Sequence, residues 1–428
     1  MGVLRFVLSS TLVLLAGLIP VPLAARAPIQ ILEPFERRLQ AADSLVASWV
    51  ESQRVPGAVL IVSSDDEILL ERAYGFVQTH EYGSGQYQTA DSGLSWSEGV
   101  RPVTDRPRVI TLETVFDLAS VTKVMATTFA VMLSVDRGEL DLDAPVRAYL
   151  PDFRGSEKDA ITLRHLLTHR AGLHQWKPIY YHATDPDEAY TYIRNLPLAW
   201  KVGEAHHYSD LGFMLLGRVV EHAVGMPLDS LLRKRLYDPL GLTSTGFRPS
   251  RENIFARTSH GNPYEHRMVH DSTFGYSYEG DPSTWDGWRR YTLAGEVNDG
   301  NAFHAFGGVA GHSGLYSTAK ELQVLVQLLL DRGEYRGQRY LGADVVDMFL
   351  TPTGDGQALG WQIPDYAPPT SFAHTGFTGT FVMGVSGEAL SVILLTNRQN
   401  TGLDRRGYYP EVGPLQLAVA TVLAGIDL

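Results

Sequence analysis

A serine and a lysine stand three residues apart in the segment Ser120-Val121-Thr122-Lys123. If this segment is helical, residues i and i+3 share one face, so the lysine amine can lie beside the serine hydroxyl. A serine becomes a useful nucleophile only when a neighbouring group takes its proton. At a helix N-terminus, backbone N–H groups and the helix dipole would also stabilise a developing oxyanion. The spacing predicts covalent catalysis through Ser120; the alternative is an N-capping serine with an exposed lysine.

The same spacing occurs a second time, in Ser317-Thr318-Ala319-Lys320. Here the interpretation as a helix cap is strong, because an apolar helical pattern follows directly and serine is a preferred N-cap residue. We therefore expect Ser317 to cap a helix and to take no part in catalysis.

Two polar triplets follow the first copy along the chain and distinguish it from the second. They are Tyr208-Ser209-Asp210 and His374-Thr375-Gly376. The ordered set resembles the penicillin-recognising serine hydrolases, which include class C β-lactamases, serine D-alanyl-D-alanine peptidases and related esterases. That family carries S-x-x-K, then Y-x-N, then K/H-T-G. The resemblance runs from about residue 40 to the C-terminus and extends to the segments 116–119, 166–169, 307–315 and 379–380.

The resemblance implies a role for each matching residue. Ser120 would attack a carbonyl and form an acyl-enzyme, Lys123 would hold the proton network, and Tyr208 would act as general base. A tyrosine can do so only if nearby cations lower its pKa, which is ordinarily about 10. The backbone N–H groups of Ser120 and Phe377 would form the oxyanion hole. Substrate contacts are implied at Asp210, His374, Thr375, Gly376, Phe377 and His312. No metal or other cofactor is implied.

Two positions depart from the usual pattern of the family. Asp210 replaces an asparagine, and a carboxylate accepts hydrogen bonds but donates none; its alternative role is the N-cap of the helix that follows. His374 replaces the lysine of most β-lactamases, and a neutral imidazole attracts a carboxylate poorly. We therefore hypothesise that substrate capture depends on the charge of His374. The histidine favours a D,D-peptidase or esterase over a class C-like β-lactamase or a penicillin-binding sensor that turns over slowly.

Weaker signals lie between the second and third motifs. His260, His266 and His270, with Asp271, could bind a metal, but their region is polar and weakly periodic, which favours a surface loop. The segment 298–301 precedes a glycine-rich stretch and is expected to line the cleft, since polar loops often carry binding residues.

Elements able to position these residues can be read along the chain. Residues 30–55 predict a helix, and 57–62 with 67–76 predict a hairpin around a Ser-Ser-Asp-Asp turn. Residues 80–108 are predicted to be a long surface excursion. Further helices are predicted at 120–135, ending at Gly138, at 211–224, ending at Gly225, and at 322–330, with another beginning at Pro414. Strands are predicted at 381–385 and 390–396, and Thr162 is predicted to cap a short helix.

Strands near both ends with helices between them predict one α/β (α+β) core with an inserted helical region. The resemblance makes this a β-lactamase-like fold, an antiparallel sheet flanked by helices. The catalytic domain would span residues 28–428, with its α/β part at about 30–144 and 304–428 and its helical and loop part at about 145–303.

The composition and the N-terminus indicate an exported enzyme. The chain has 428 residues, no cysteine and a formal net charge of −12. The missing cysteines exclude disulfides and thiol nucleophiles, and the acidic balance argues against nucleic-acid binding. Residues 1–27 have the pattern of a cleavable signal peptide, with an uncleaved anchor as the alternative. We expect a periplasmic or secreted bacterial monomer without a stable membrane span, acting on a small molecule or a peptidoglycan peptide.

Overall fold

A computed structural model describes residues 34–83, 99–276 and 278–425. Its centre is an antiparallel sheet of five strands in the order β10-β11-β12-β1-β2. Their bounds are β1 Gly57–Ser64, β2 Glu67–Gly75, β10 Ser371–Thr375, β11 Thr380–Val385 and β12 Leu390–Thr396. Because β1 pairs with β12, with Ala58 opposite Thr396, strands from both ends of the chain build one sheet.

Alternating side chains of the sheet enter two separate cores. Val59, Ile61 and Ile393 face the larger one, whereas Leu60 and Val392 face the smaller one. The smaller core is covered by α1 (Pro34–Glu51) and α13 (Gly413–Leu423). On the other face, α11 (Ala319–Leu330) packs against β1, β11 and β12. Both faces of the sheet are therefore covered by helices, as the sequence predicts.

The region between the second and tenth strands is mainly helical. Its helices are α2 Phe129–Asp136, α3 Val146–Tyr149, α4 Leu163–Leu167, α5 Pro186–Asn195, α6 Asp210–Val224, α7 Leu228–Leu232, α8 Asp238–Leu240, α9 Pro263–His270, α10 Gly300–His304 and α12 Ala343–Leu350. The short strands are β3 His80–Tyr82, β4 Val100–Pro102, β5 Phe116–Asp117, β6 Gly246–Phe247, β7 Leu315–Ser317, β8 Glu334–Tyr335 and β9 Gln338–Arg339. Strand β7 lies between β5 and β6 in a small sheet, and β5 leads directly to Ser120.

Most of the local predictions are confirmed. The hairpin is β1–β2, Thr162 caps α4, and α6 ends at Gly225, whose φ of 70° is left-handed. Gly138 also has a left-handed φ, 69°, after α2. Residues 80–108 are not wholly irregular, because β3 pairs with β4 at the base of the excursion. The predicted signal peptide, 1–27, lies outside the described residues.

Other local predictions are wrong in instructive ways. Ser317 does not cap α11: it ends β7, and the side chain of Thr318 accepts the hydrogen bond from the Glu321 N–H at 3.3 Å. The predicted loop around His266 contains α9, which begins at a proline in its first turn and is partly buried. The helix predicted at 120–135 is confirmed, although it has three forms: a 3₁₀ turn at Ala119–Val121, a π-helix at Lys123–Thr128, and then α2.

Within the described ranges, no single helix combines the length and the hydropathy needed to cross a bilayer. Helix α6 and the helical run 228–240 have the required length and hydropathy only when they are taken together, and a bend of 69° separates them.

Candidate active site

Ser120 lies in a strained turn between β5 and the π-helix. The preceding residue, Ala119, has a φ of 45°, a left-handed conformation that costs energy for a residue with a Cβ. The buried Asp117 stabilises this turn, because its carboxylate accepts the Ala119 N–H at 2.9 Å and the Asn298 N–H at 2.6 Å. Burial raises the pKa of Asp117 to about 6. Asp117 thus fixes the direction in which Ser120 leaves β5, a role that the sequence did not indicate.

Lys123 lies directly beside the proposed nucleophile and is fully buried. Its Nζ is 3.1 Å from Ser120 Oγ, 2.7 Å from Asp210 Oδ1 and 3.2 Å from the His312 carbonyl oxygen. Burial alone would lower the pKa of Lys123, but the Asp210 carboxylate and the Tyr208 hydroxyl outweigh burial and raise it. The side chain is therefore an ammonium ion, and it is directed at Ser120 as the spacing predicts.

Tyr208 completes a group of three side chains around Ser120. Its hydroxyl is close enough to Ser120 and Lys123 for both groups to lower its pKa, and Lys123 Nζ lies 4.9 Å from the centre of its ring. Burial raises the pKa of Tyr208, and the lowering by Lys123 does not fully cancel it. Lys123 lowers this pKa as expected, but burial outweighs it, so the expected net lowering is not found. In the free protein the proton stays on Tyr208 at neutral pH.

Two neighbours hold Tyr208 in position. The N–H of Ser209 donates to His169 Nδ1 at 3.0 Å, and the Ser209 hydroxyl donates to the His174 carbonyl at 2.7 Å. The His169 ring lies 4.4 Å from the Tyr208 ring. Burial, together with the nearby Lys123 ammonium, holds the pKa of His169 well below its ordinary value. A neutral ring therefore supports the tyrosine without adding charge to the site.

Asp210 is not the N-cap of α6. Ser209 is the cap, since its hydroxyl accepts the Gly212 N–H at 3.2 Å, and the Asp210 carboxylate is left to pair with Lys123. An asparagine at this position would carry no charge to pair with the ammonium. The departure from the family pattern thus produces a partly buried ion pair beside the nucleophile.

His374 lies on β10, at the edge of the main sheet, and it is 1% exposed. Its Nδ1 lies 2.8 Å from the Thr375 carbonyl oxygen, and its ring is 6.3 Å from that of Tyr208. Burial, together with the Lys123 ammonium, lowers the pKa of His374 to about 3. The imidazole is neutral in any physiological medium, so the hypothesis that its charge captures the substrate is wrong.

A mutation tests this reassignment of His374. In His374→Gln, the KM of a carboxylate-bearing substrate is expected to keep the wild-type pH dependence from pH 5 to 9, because the wild-type imidazole does not titrate in that range. Steady-state kinetics on this substrate and on a neutral ester make the comparison. If the wild-type KM instead rises with pH around a pKa of about 6 to 7, and the KM of the variant does not change with pH, the hypothesis of a charged His374 would be correct.

The turn after β10 brings Phe377 to the nucleophile. The Thr378 hydroxyl donates to the Asp117 carbonyl at 2.7 Å, and the Thr380 hydroxyl donates to the Leu118 carbonyl at 3.0 Å. A Cβ on Gly376 would lie 2.1 Å from Thr380 Oγ1, so only glycine fits this approach. The turn is thus locked against the strand that precedes Ser120.

The predicted oxyanion hole fits this geometry. Neither the Ser120 N–H nor the Phe377 N–H donates to another group in the described part of the chain. Arg398 Nε donates a hydrogen bond to the Phe377 carbonyl at 2.9 Å, and the same guanidinium donates to the Pro410 carbonyl. Two free N–H groups, one on each of two segments joined by hydrogen bonds, are what a developing oxyanion requires. Arg398 is a further residue that the sequence did not indicate.

The His312 side chain is buried against Asp299. It is 1% exposed, and its Nε2 lies 3.0 Å from Asp299 Oδ1, so the substrate contact at His312 stays a prediction. Asp210, Asp299 and His312 bring ligand atoms within 4.8 Å of one another, a grouping able to hold a cation. The positive charge beside them is the Lys123 ammonium. His260, by contrast, hydrogen-bonds with Thr292 and the Asn400 carbonyl.

The comparisons with known proteins agree with this geometry. The Beta-lactamase family model matches residues 42–412. The chain is 32% identical over 390 residues to an N-acetylmuramyl-L-alanine amidase of Bacillus subtilis, covering 85% of this chain and 82% of that protein. It is 30% identical over 386 residues to a protein of Escherichia coli K12 described as a candidate D-alanyl-D-alanine carboxypeptidase, covering 82% and 81%.

Solved structures share the fold. A penicillin-binding protein homologue from Caulobacter crescentus has a TM-score of 0.64 at 18% identity, covering 90% of this chain and 96% of that one. A class C β-lactamase has a TM-score of 0.64 at 16% identity, covering 92% and 99%. The family match extends over most of the described chain and includes all three motifs around Ser120. The chain therefore belongs to the β-lactamase family and is a serine hydrolase.

Proposed function

We propose that the protein forms an acyl-enzyme through Ser120 on a D-alanyl peptide or a small ester, as a D,D-carboxypeptidase or esterase does. The observation that carries the proposal is the hydrogen bond from Lys123 Nζ to Ser120 Oγ at 3.1 Å, with the Tyr208 side chain beside both groups. This arrangement places a base, a cation and a nucleophile together, which is the requirement for activating a serine.

The proposed reaction has two steps, acylation of Ser120 and hydrolysis of the acyl ester. As Ser120 Oγ attacks the carbonyl carbon, its proton passes to the deprotonated Tyr208 oxygen, and the N–H groups of Ser120 and Phe377 stabilise the oxyanion. The tetrahedral intermediate collapses, Tyr208 returns the proton to the leaving amine or alkoxide, and the acyl ester remains. Water then attacks the ester with Tyr208 again taking a proton, and Ser120 leaves with that proton restored. Lys123 stays positive throughout, since Asp210 compensates its charge.

The choice of substrate is supported by His374 and by the relatives. Its neutral imidazole lacks the cation that most β-lactamases place there. The two relatives described above carry names from cell-wall peptide chemistry, an amidase and a candidate carboxypeptidase. A class C-like β-lactamase remains the second candidate, since a solved class C enzyme shares the fold. A penicillin-binding sensor with little turnover is the third.

Turnover and deacylation rates separate these candidates. The purified protein is given nitrocefin, p-nitrophenyl butyrate and a peptide ending in D-Ala-D-Ala, and the acyl-enzyme is followed by mass spectrometry. We expect steady release of D-alanine or butyrate, and a nitrocefin rate lower by at least about tenfold. Faster nitrocefin turnover would favour the β-lactamase. A stoichiometric acyl-enzyme that persists with all three compounds would favour the sensor.

We further propose that residues 1–27 direct export and that the mature protein acts as a monomer in the periplasm or outside the cell. The short apolar run and the small residues before position 28 support export. Mass spectrometry of the protein recovered from the cell envelope measures both the cleavage site and the oligomeric state. A chain that keeps residue 1 in the cytoplasm would contradict the proposal.

A further inference from the structure

A carboxylate and an imidazole outside the three motifs form a buried pair next to Lys123. Asp299 caps α10 by accepting the Ala302 N–H at 2.7 Å, and the same oxygen lies 3.0 Å from His312 Nε2. His312 is 1% exposed, so its ring has no access to solvent. The mechanism proposed above uses neither side chain.

The pair is joined to the ammonium through His312. While the His312 ring binds Asp299, its backbone carbonyl accepts a hydrogen bond from Lys123 Nζ at 3.2 Å. One oxygen of Asp299 also lies within 4.8 Å of the Asp210 oxygen. Burial raises the pKa of Asp299, but His312 and, more weakly, Lys123 outweigh burial and lower it. A single residue thus links the ammonium to a second carboxylate.

The segment that carries His312 is fixed against the helices of the site. The Thr127 hydroxyl, on the same π-helix as Lys123, donates to the Gly311 carbonyl at 2.6 Å. A Cβ on Gly311 would lie 2.0 Å from the Phe213 carbonyl oxygen of α6, so the segment passes directly against that helix. The position of the His312 carbonyl relative to Lys123 is therefore set by packing on two sides.

We propose that Asp299 and His312 are positioning residues for Lys123, and that Asp299 shares with Asp210 the compensation of its charge. His312 holds the Asp299 carboxylate and directs the ammonium towards Ser120 and Tyr208. The inference rests on the proposed function only in taking Ser120 as the nucleophile. It assigns a catalytic effect to two residues that touch neither the substrate nor the reacting atoms.

Removing the charge of Asp299 has a predictable sign. With one carboxylate fewer, the Lys123 ammonium acts more strongly on Tyr208, so the phenolate forms at lower pH. Other titratable and charged groups near these residues also contribute to the pH profile. Around Lys123 and Tyr208 they are Asp210, His169 and His374; around Asp299 they are His312, Glu265, Asp117, Tyr180, His304 and Arg289.

The test uses Asp299→Asn, which keeps an oxygen able to accept from Ala302 and His312 but removes the charge. The rate at which a fluorophosphonate labels Ser120 is measured from pH 5 to 10. We expect the acid limb of this profile to move down by about one pH unit, the scale of a nearby charge in a partly shielded site. The matched control is Asp185→Asn, which removes an N-cap carboxylate from α5, at the surface. It should leave the profile unchanged.

A second variant keeps the inference testable if Asp299→Asn does not fold. His312→Asn removes the imidazole and should slow labelling at least about tenfold at its pH optimum, while the melting temperature reports any general loss of structure. A profile of Asp299→Asn that superimposes on the wild type would overturn the inference. So would wild-type labelling rates in a folded His312→Asn. Since labelling does not depend on the natural substrate, these failures differ from failure of the proposed peptide or ester turnover. A wild type that is not labelled at all overturns both proposals.

Discussion

Ser120→Ala is expected to lower kcat/KM by at least about 10⁴-fold on any substrate that the protein turns over, because the bond to the acyl group can no longer form. The contacts around Ser120 lead to this expectation. Lys123 Nζ lies 3.1 Å from its hydroxyl, and the N–H of Ser120 itself is free to bind an oxyanion. The variant should also lose covalent labelling by a fluorescent penicillin and by a fluorophosphonate.

Ser317→Ala is the matched control, since Ser317 begins the other S-x-x-K segment. Its hydroxyl is buried and lies 2.7 Å from Thr245 Oγ1, so the substitution removes a hydrogen bond worth about 1 kcal/mol of stability. Labelling and turnover should stay close to wild type. If labelling instead survives in Ser120→Ala and is lost in Ser317→Ala, the nucleophile has been assigned to the wrong serine.

Tyr208→Phe should produce the second large loss, a fall in kcat of about 10² to 10⁴-fold, which is the usual contribution of a positioned general base. The ring and its packing on His169 are kept, so KM should change little. Because burial raises the pKa of Tyr208, the active phenolate is scarce at neutral pH, and wild-type kcat/KM should climb as pH rises. That climb should disappear in the variant.

Tyr276→Phe provides the matched control for this substitution. Tyr276 is another half-buried tyrosine. Burial and the nearby Asp210 charge raise its pKa. Stopped-flow acylation and steady-state rates from pH 5 to 10 should be unchanged in Tyr276→Phe. A Tyr208→Phe protein within tenfold of the wild-type kcat would transfer the role of base to another group.

The part of the site that follows from local patterns could be predicted from the sequence. Ser120 and Lys123 needed only a helical turn between them, and Tyr208 and His374 stood in short motifs of recognisable order. Caps at Thr162 and Gly225 followed from residue types whose preference is local. Strands β11 and β12 were equally readable, since their apolar runs flank a turn.

What the sequence did not predict depends on contacts between distant residues. Asp117 meets Asn298, Lys123 meets His312, and Arg398 meets Phe377, across separations of 21 to 189 residues. Neither burial nor charge state can be assigned before such contacts are known. His374 shows this most clearly: its motif suggested a cation, but packing removed solvent from the ring and left it neutral. The Ser317 error was smaller, a cap displaced by one residue to Thr318.

The pairing of β1 with β12 has a consequence for how the protein folds. Ala58 and Thr396 are opposite each other although almost the whole chain separates them, so the sheet can close only after a very large loop has been ordered. Topologies dominated by such non-local pairing fold slowly and expose unpaired strand edges until closure. A chain that stops before Leu390 lacks the central strand, and with it the support for β10 and for the turn that carries Phe377. Refolding should therefore be slow, and recovery of Ser120 labelling should coincide with formation of the sheet.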